Sequence, residues 1–367
     1  MNTKTTHEEP GLGHVLREDM GHGDFFHTMR REWSELKEYF LSDQRKQQLR
    51  AMNPVKRLFF IPWWLIKSLL LKLSWIRRLF LLAAFYFMFF PVQVSQKQGE
   101  VTVSQDTHWL GFAIIVFVLM MELKDKLLAK DELAAGRTVQ RALMPDKEPR
   151  IKGWSLWLHY QPANEVCGDL LDFMSISDQR AAIALGDVSD KGLGAALLMV
   201  KLQATLRALA PDHTSLSALA EKMNKIYLRD GVAKSFASLV YLEMQPEGSE
   251  VRLFNAGHLP PLLIRNETIE ELPKGDMGLG ISGHATFKEQ CLTMNSGDLL
   301  VVFSDGLTES RNEAGEFYGE QRLWQAINRC PRCSASRLGE AILQQVDRFT
   351  EDALPHDDLS LAIIMKE

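Results

Sequence analysis

The chain has 367 residues, which at roughly 150 residues per domain predicts about two folded units. Hydrophobic residues make up 46% of it and charged residues 24%, a composition that excludes disordered, collagen-like and disulfide-scaffold proteins. The formal net charge of -5 gives no reason to expect nucleic acid as a partner. The four cysteines are too few and too unevenly spread for a disulfide framework, which favours a reducing compartment.

Residues 1–53 are polar and form the first predicted segment, a cytoplasmic helical region. No small-residue cleavage site follows a short apolar core, so we expect no removable signal peptide. Apolar residues recur at helical intervals over residues 25–52, which predicts an amphipathic helix. Four histidines in this region match no metal-site spacing and are expected to be solvated.

The composition changes at residue 54, where Phe, Trp and Leu are interleaved with Lys and Arg as far as residue 78. This mixture is typical of a helix that lies in a membrane interface. Two charge-free runs follow and predict transmembrane helices at about residues 79–94 and 109–123. Each run is shorter than the ~20 residues that span a bilayer core, unless flanking Lys and Arg side chains snorkel to the interface. Two buried core helices are the alternative.

The distribution of charge favours the membrane interpretation. Basic residues gather before the first run and after the second, whereas the connection over residues 95–108 contains only Lys97. The positive-inside rule then predicts a hairpin with both ends in the cytoplasm. We therefore expect residues 54–123 to comprise an interfacial helix and a transmembrane hairpin.

The segment after the second run is rich in helix formers and ends at Pro145, which predicts a linker helix over residues 124–145. Leu123, Leu127, Ala134 and Leu143 are available for one apolar face. Two interpretations stay open. The helix is either a short parallel coiled coil that makes a homodimer or a plain solvated linker.

The remainder, residues 146–367, alternates between strand and helix patterns and predicts an α+β domain. Strands are predicted at residues 154–161, 181–185, 236–244, 251–255, 262–265, 299–304 and 359–365, and helices at residues 194–209, 215–228, 321–328 and 336–350. The helices come in pairs between groups of strands. This order favours antiparallel sheets with helices packed outside over a doubly wound parallel sheet.

Acidic residues fall at the predicted strand ends of this domain. Gly168-Asp169 follows a predicted strand, Gly186-Asp187 ends one, Asp305-Gly306 ends another, and His356-Asp357-Asp358 opens the last. Hard cations such as Mg²⁺ and Mn²⁺ need oxygen ligands, and a cluster of carboxylates would repel itself without them. A single aspartate at such a place is more often a turn former or a helix cap. Four in one domain favour a metal site.

These residues belong to longer strings that resemble the protein phosphatase 2C (PPM) superfamily, in particular its bacterial branch typified by the SpoIIE and RsbU phosphatases. The strings are QRALMP at residues 140–145, GWSLWLHYQPANEVCGDLLD at 153–172, ALGDVSDKGLGAALLM at 184–199, NAGHLPPLL at 255–263, GDLLVVFSDGLTES at 297–310 and HDDLSLAII at 356–364. The resemblance covers about residues 137–366. It implies a sandwich of two antiparallel sheets flanked by helical pairs, which agrees with the predicted elements.

The resemblance also implies the residues of a site with two Mn²⁺ or Mg²⁺ ions. Asp169, Asp187, Asp305 and Asp357 match the metal ligands, with Asp187 as the bridging ligand and Asp187 and Asp305 as the catalytic pair. The carbonyl of Val188 matches a further ligand that a glycine often supplies.

Four more residues match supporting positions of the family. Asp358 is expected in the second shell, and Asp172 either supports a water ligand or is structural. Asn255 and His258 match an Asn-Ala-Gly-His motif, for which we expect a loop-ordering role rather than catalysis.

The chain departs from the family pattern at Cys167, Val188 and Asp190, each of which stands where glycine is frequent. None of these changes removes a ligand. Cys167 lacks the basic loop of a thiol phosphatase and is expected to be a small core residue. The isolated pair Cys330 and Cys333 is expected to be a chance CxxC or a turn rather than a zinc site.

The sequence thus predicts a metal-dependent serine/threonine phosphatase anchored in a bacterial inner membrane, with its catalytic domain in the cytoplasm. The expected substrate is a phosphoserine or phosphothreonine protein in signalling, of the anti-sigma-factor-antagonist type that the resemblance suggests. Two cations would activate a water and offset charge on the phosphoryl group. The alternative is a non-catalytic membrane signalling platform whose phosphatase-like domain binds a partner. We also expect the linker helix to influence whether the site binds its ions.

Overall fold

The computed structural model describes residues 45, 48, 49, 52–90, 93–98, 101–106, 108–189, 191–230, 235–330, 333–351 and 353–367. The helix predicted over residues 25–52 lies almost wholly outside the described residues, and Asp190 lies outside them. The chain divides into two compact units, Met1–Lys126 and Leu127–Glu367.

The described residues of the first unit contain helices α1 (Pro54–Lys72) and α2 (Trp75–Phe89) and the start of α3 (His108–Leu143). The sequence predicted one interfacial helix as far as residue 78, whereas the structure ends α1 at Lys72 and begins a new helix at Trp75. The Arg78 side chain caps the break. It donates hydrogen bonds of 2.8 Å and 2.9 Å to carbonyl groups at the end of α1, which would otherwise lack partners.

Helix α2 and the first part of α3 contact each other through charged and aromatic side chains. Arg77 on α2 forms ion pairs with Glu122 and Asp125 on α3. The rings of Phe80 and Phe117 meet edge to face with centroids 6.0 Å apart. The connection contains a two-stranded antiparallel hairpin, β1 (Gln93–Gln98) and β2 (Val101–Asp106), which the sequence analysis did not predict.

By length and composition, a single helical stretch among the described residues would suffice to cross a membrane, and it is Leu193–Asp212. This stretch lies in the second unit, where one face of it is buried in the core of the domain. Helix α2 comprises 15 residues, fewer than the ~20 that span a hydrocarbon core. Membrane insertion of α2 and α3 therefore stays a prediction.

The second unit contains two five-stranded antiparallel sheets. One has the order β10-β7-β6-β5-β4 and the other β3-β12-β11-β8-β9. The strands are β3 (Trp154–Gln161), β4 (Leu170–Ser177), β5 (Arg180–Val188), β6 (Ala237–Met244), β7 (Glu250–Ala256), β8 (Leu262–Arg265), β9 (Thr268–Glu271), β10 (Gln290–Thr293), β11 (Leu299–Phe303) and β12 (Leu359–Lys366). The helices are the end of α3, then α4 (Leu193–Leu209), α5 (Leu216–Asp230), α6 (Asp305–Thr308), α7 (Gly319–Asn328) and α8 (Ala335–Thr350). The predicted α+β sandwich with flanking helices is confirmed.

Three apolar clusters hold these layers together. One lies between α4, α5 and the first sheet, one between the two sheets, and one between the second sheet and α7 and α8. Neighbouring residues of a strand belong to different clusters because successive side chains point to opposite faces. Val302 packs between the sheets, for example, whereas Val301 packs against the helices.

Strand β4 was missed because the polar residues in LLDFMSIS interrupt its apolar pattern. As a result the position of one acidic residue was predicted wrongly. Asp169 immediately precedes a strand and does not follow one directly, since β3 ends at Gln161. The structure also joins Cys330 and Cys333 by a disulfide between α7 and α8, although the sequence analysis assigned this CxxC no bond.

Candidate metal centre

The four predicted carboxylate ligands lie at strand ends of both sheets. Asp169 precedes β4 and Asp187 is the penultimate residue of β5, its neighbour in the first sheet. Asp305 follows β11 as the first residue of α6, and Asp357 precedes β12, the neighbour of β11 in the second sheet. The antiparallel pairing therefore brings the two members of each pair to the same end of their sheet.

The pKa of Asp187 depends on acidic residues of the other sheet. Burial, and next the negative charges of Asp305, Asp357 and Asp358, raise the pKa of Asp187 to about 7. The two sheets thus place their acidic ends close enough to repel one another. A bound cation would reverse this balance by favouring the charged carboxylates.

Asp169 is the most deeply buried of the four predicted ligands. Its side chain is 2% exposed, and its Oδ2 has no hydrogen-bond partner within the described residues. Burial, opposed by the nearby hydroxyl of Ser360, raises the pKa of Asp169 well above its ordinary value, and the charge of Asp187 adds to the rise. A buried carboxylate oxygen without a partner is costly, and a cation is the kind of group that would satisfy it.

Lys191 is a charged residue of this region that the sequence analysis did not single out. Its Nζ lies 2.9 Å from Oδ2 of Asp357. Burial, and next the charge of Asp357, raise the pKa of Asp305, while Lys191 acts in the opposite direction. The signal was present in the string DVSDKG, where this lysine follows Asp187 by four positions.

The residues fit hydrated hard cations rather than a closed protein cage. No three His, Cys, Asp or Glu side chains in the described part of the chain lie close enough together to hold one ion. Mg²⁺ is commonly bound through one or two carboxylates and keeps several waters. The orphaned oxygen of Asp169 and the exclusively oxygen-bearing side chains match that preference.

Val188 and Cys167 are accommodated without disturbing the acidic residues. The Val188 side chain is 1% exposed and packs in the core between the first sheet and its helices, so only its backbone is available to an ion. Cys167 is fully buried, and its Sγ accepts a hydrogen bond of 3.3 Å from the backbone N–H of Asp169. Burial raises the pKa of the Cys167 thiol, which agrees with its expected place in the core.

Asp358 connects the segment before Asp169 to the second sheet. Its Oδ1 accepts a hydrogen bond from the backbone N–H of Ala163, and its Oδ2 accepts one from Gly168, both at 2.8 Å. Both carboxylate oxygens are therefore engaged with the loop that carries Asp169. This geometry suits the predicted supporting role.

Asp172 points away from the other acidic residues. Its side chain is fully buried and accepts two hydrogen bonds from Arg207 of α4, at 2.6 Å and 2.8 Å. Leu170 lies two positions before Asp172 on β4, so the two side chains point to the same face of the sheet. Leu170 packs in the apolar cluster beneath α4, so this is the face that α4 covers. Of the two roles that the sequence left open, the structure favours the structural one.

Asn255 and His258 form a closed turn after β7. Asn255 accepts a hydrogen bond from the His258 backbone N–H at 2.8 Å and donates one to the His258 carbonyl oxygen at 3.0 Å. The amide of Asn255 is 1% exposed, so it contacts protein rather than substrate. These two hydrogen bonds fix the backbone of the loop at His258.

The His258 ring bridges the two sheets. Its Nδ1 lies 2.9 Å from Oγ of Ser238, and its Nε2 lies 3.2 Å from the carbonyl oxygen of Phe303. Ser238 pairs with Asp187 across β5 and β6, and Phe303 is two residues before Asp305. Burial lowers the pKa of His258 to about 4, so the ring is neutral at physiological pH.

Gly306 is required by close packing at the acidic edge. A Cβ atom on Gly306 would overlap the carbonyl oxygen of Asp358. Only a residue without a side chain lets α6 begin this close to the segment that carries Asp357. In the Asp305-Gly306 pair, Asp305 is therefore the candidate ligand, and Gly306 is required because no side chain fits there.

Gln140, near the end of α3, was not predicted to have a role. Its Nε2 donates to the carbonyl oxygen of Cys167 at 2.9 Å, and its Oε1 accepts from the backbone N–H of Cys167 at 3.1 Å. The side chain is 4% exposed. A glutamine near a helix end does not by itself indicate a function, so the string QRALMP did not predict this contact.

Comparison with known proteins agrees with this architecture. The family model described as Stage II sporulation protein E (SpoIIE) matches residues 177–366, about half of the chain. Protein IcfG of Synechocystis sp. is 24% identical over 307 residues, which are 76% of this chain and 48% of that protein. The phosphoserine phosphatase RsbU of Bacillus subtilis is 26% identical over 240 residues, which are 65% of this chain and 71% of that protein. The chain thus spans about half the length of the first of these relatives.

Solved structures show the same fold. The SiaA-PP2C domain of Pseudomonas aeruginosa superposes with a TM-score of 0.58 at 15% identity, covering 66% of this chain and 99% of that domain. The RsbU and RsbW domains of a Mycobacterium tuberculosis protein give a TM-score of 0.51 at 21% identity, covering 60% of this chain and 61% of that structure. The chain therefore belongs to the SpoIIE family and has the protein phosphatase 2C fold.

Proposed function

We propose that this chain is a membrane-anchored, Mn²⁺- or Mg²⁺-dependent phosphatase of phosphoserine or phosphothreonine proteins, with its catalytic domain in the bacterial cytoplasm. Its substrate is a signalling phosphoprotein of the anti-sigma-factor-antagonist type. Membership of the SpoIIE family and similarity to the phosphoserine phosphatase RsbU support the reaction.

One observation carries this proposal. Asp187 of one sheet has its pKa raised to about 7, after burial, by the charges of Asp305 and Asp357 of the other. Acidic side chains held against one another in this way destabilise the metal-free fold, so a binding role accounts for them better than a structural role.

In the proposed mechanism Asp169, Asp187, Asp305 and Asp357 hold two ions, with the Val188 carbonyl as a further donor. When bound, such ions supply an activated water and offset charge on the phosphoryl oxygens.

Other side chains of the chain then serve the reaction by position. Lys191 presents an ammonium group beside Asp357, where it can donate to a phosphate oxygen. Asp358 and His258 fix the loops that carry the ligands. Burial raises the pKa of Cys167 and keeps it from acting as a nucleophile.

Membrane anchoring is supported by the surface of the first unit. Large apolar side chains on α1, α2 and α3 are exposed, among them Trp63, Trp75, Leu82, Phe89, Phe112 and Leu119. An apolar surface of this extent on a water-soluble unit would promote aggregation. A bilayer and its interface would cover it.

The test of the reaction uses the full chain in detergent micelles with Mn²⁺ and a phosphoserine peptide. Asp187→Asn and Asp305→Asn should each lower phosphate release by at least about 10²-fold, since each removes a charge from the site. Asp178→Asn is the matched control, because Asp178 is exposed in the turn at the opposite end of β5. It should retain the activity of the unmodified chain.

The alternative, a non-catalytic platform, makes the opposite prediction in the same assay. Absence of phosphate release from the peptide and from p-nitrophenyl phosphate, together with absence of Mn²⁺ binding by calorimetry, would favour it. Release that persists in both aspartate variants would contradict the proposed site.

A further inference from the structure

A group of exposed apolar side chains lies beside the candidate metal centre. We call Leu228, Phe236, Met277 and Ile281 the apolar shelf. They are 40%, 44%, 48% and 52% exposed, respectively. Leu228 is near the end of α5, Phe236 immediately precedes β6, and the other two belong to the long loop between β9 and β10.

The loop that carries Met277 and Ile281 is fixed along its length by hydrogen bonds. Leu279 exchanges two backbone hydrogen bonds with Ala237, at 2.8 Å and 2.9 Å. The side chain of Asn224 donates to the carbonyl oxygen of Ser282 and accepts from the N–H of Gly280, both at 2.9 Å. Other apolar residues of the loop, Leu279 and Phe287, are buried in the core. The exposed ones are therefore held outward by an ordered backbone.

Members of the shelf surround two glycines of the loop. A Cβ built on Gly278 would lie 3.3 Å from Cδ1 of Ile281 and 3.7 Å from a ring carbon of Phe236. One built on Gly283 would lie 3.8 Å from Cδ1 of Leu228. Exposed apolar side chains grouped in this way are typical of a site that contacts another molecule.

The shelf begins at the rim of the metal centre. Ser189 donates its backbone N–H to the carbonyl oxygen of Phe236 at 2.9 Å, and the N–H of Phe236 donates to Oγ of Ser189 at 2.8 Å. Ser189 stands two residues after Asp187 and two residues before Lys191. Residues that flank a phosphoserine at the acidic edge are therefore within reach of this rim, because successive Cα atoms are only about 3.8 Å apart.

We propose that the apolar shelf binds apolar side chains that flank the phosphorylated serine of the substrate protein. This inference rests on the proposed phosphatase function and specifies its substrate. Every phosphoprotein presents the same phosphoryl group, so contacts away from the phosphate must supply any discrimination between substrates. Met277 suits this role, since its flexible thioether adapts to differently shaped apolar partners.

The test compares two phosphoserine peptides of equal length and charge with the full chain in detergent micelles and Mn²⁺. One carries leucine at the positions on each side of the phosphoserine, and the other carries serine there. The leucine peptide should be hydrolysed with a kcat/KM higher by about tenfold, through a lower KM. Met277→Ser and Ile281→Ser should each reduce that ratio several-fold.

Trp324→Ser is the matched control, because Trp324 of α7 is also 40% exposed but lies on the helical layer of the other sheet. It should preserve the ratio between the two peptides. Equal kcat/KM for both peptides in the unmodified chain would overturn the shelf proposal and leave the phosphatase function standing. Failure to release phosphate from either peptide and from p-nitrophenyl phosphate would overturn both. Melting temperatures of the variants establish that they are folded.

Discussion

His258 shows how one side chain couples the two sheets and how pH reveals it. The ring is 7% exposed and contacts Ser238 of the first sheet and the end of β11 in the second. Its pKa is lowered from 6.5 to about 4 by burial, so the folded state binds a proton less readily than the unfolded chain. The stability that His258 contributes is therefore complete above pH 6.5 and is lost as the pH falls towards 4.

We expect the free energy of unfolding to show this loss in a comparison with His258→Gln, which does not titrate. Between pH 7 and pH 4.5 the metal-free wild-type chain should lose up to about 3 kcal/mol relative to the variant. Urea unfolding at the two pH values measures the difference. Both proteins contain the same buried carboxyl groups, so the comparison cancels their contribution to the free energy of unfolding. Their raised pKa values would otherwise stabilise the fold as the pH falls, opposite to the effect of His258. A difference that does not change with pH would contradict the assigned environment of His258.

Individual residues also set the limit of what the sequence could predict. The short motifs singled out Asp169, Asp187, Asp305 and Asp357 as candidate ligands, although the strand beside Asp169 was placed wrongly. Asp172 and Asp358 were equally acidic, yet one faces Arg207 and the other faces the loop before Asp169. Which face a side chain occupies depends on strand pairing, and β4 itself was not predicted.

At the scale of elements, α3 is joined to the metal-centre segment through Gln140. Its side chain satisfies both backbone groups of Cys167, two residues before Asp169. These groups are buried, so they would lose their partners if the glutamine were shortened. The predicted influence of the linker helix on ion binding thus has a specific physical route.

Gln140→Ala should lower the free energy of unfolding by roughly 1–3 kcal/mol and weaken Mn²⁺ binding, because Asp169 loses a fixed neighbour. Urea unfolding and Mn²⁺ titration by calorimetry measure the two effects. Arg141→Ala, the adjacent exposed residue of the same helix, should change neither. Lower stability with unaltered Mn²⁺ affinity would confine Gln140 to a structural role.

The elements themselves were predictable where apolar periodicity was strong. The paired helices and the central strands β5, β6, β7, β11 and β12 match the predicted segments closely. The short strands β9 and β10 and the β1–β2 hairpin were missed, since polar residues dominate them. The break between α1 and α2 is capped by the Arg78 side chain, a contact that apolar periodicity does not predict.

For the whole molecule, the proposed membrane anchoring predicts how the chain fractionates. We expect the full chain, expressed in a bacterium, to remain in the membrane pellet after extraction with alkaline carbonate, since an embedded hairpin resists it. Fractionation with an antibody to the chain measures this, with a soluble protein of the same lysate as control. Release into the supernatant would contradict the transmembrane hairpin, because a helix bound only at the interface is released by this treatment.

The turn at Gly306 has a consequence for mutagenesis of this family. Its lack of a side chain is a spatial condition, since any Cβ would collide with the backbone at Asp358. In a saturation library scored by turnover alone, this glycine would rank beside the predicted acidic ligands although it contributes no chemistry. A measurement of folding for every inactive variant is therefore needed to separate positions that tolerate no side chain from positions that supply the chemistry.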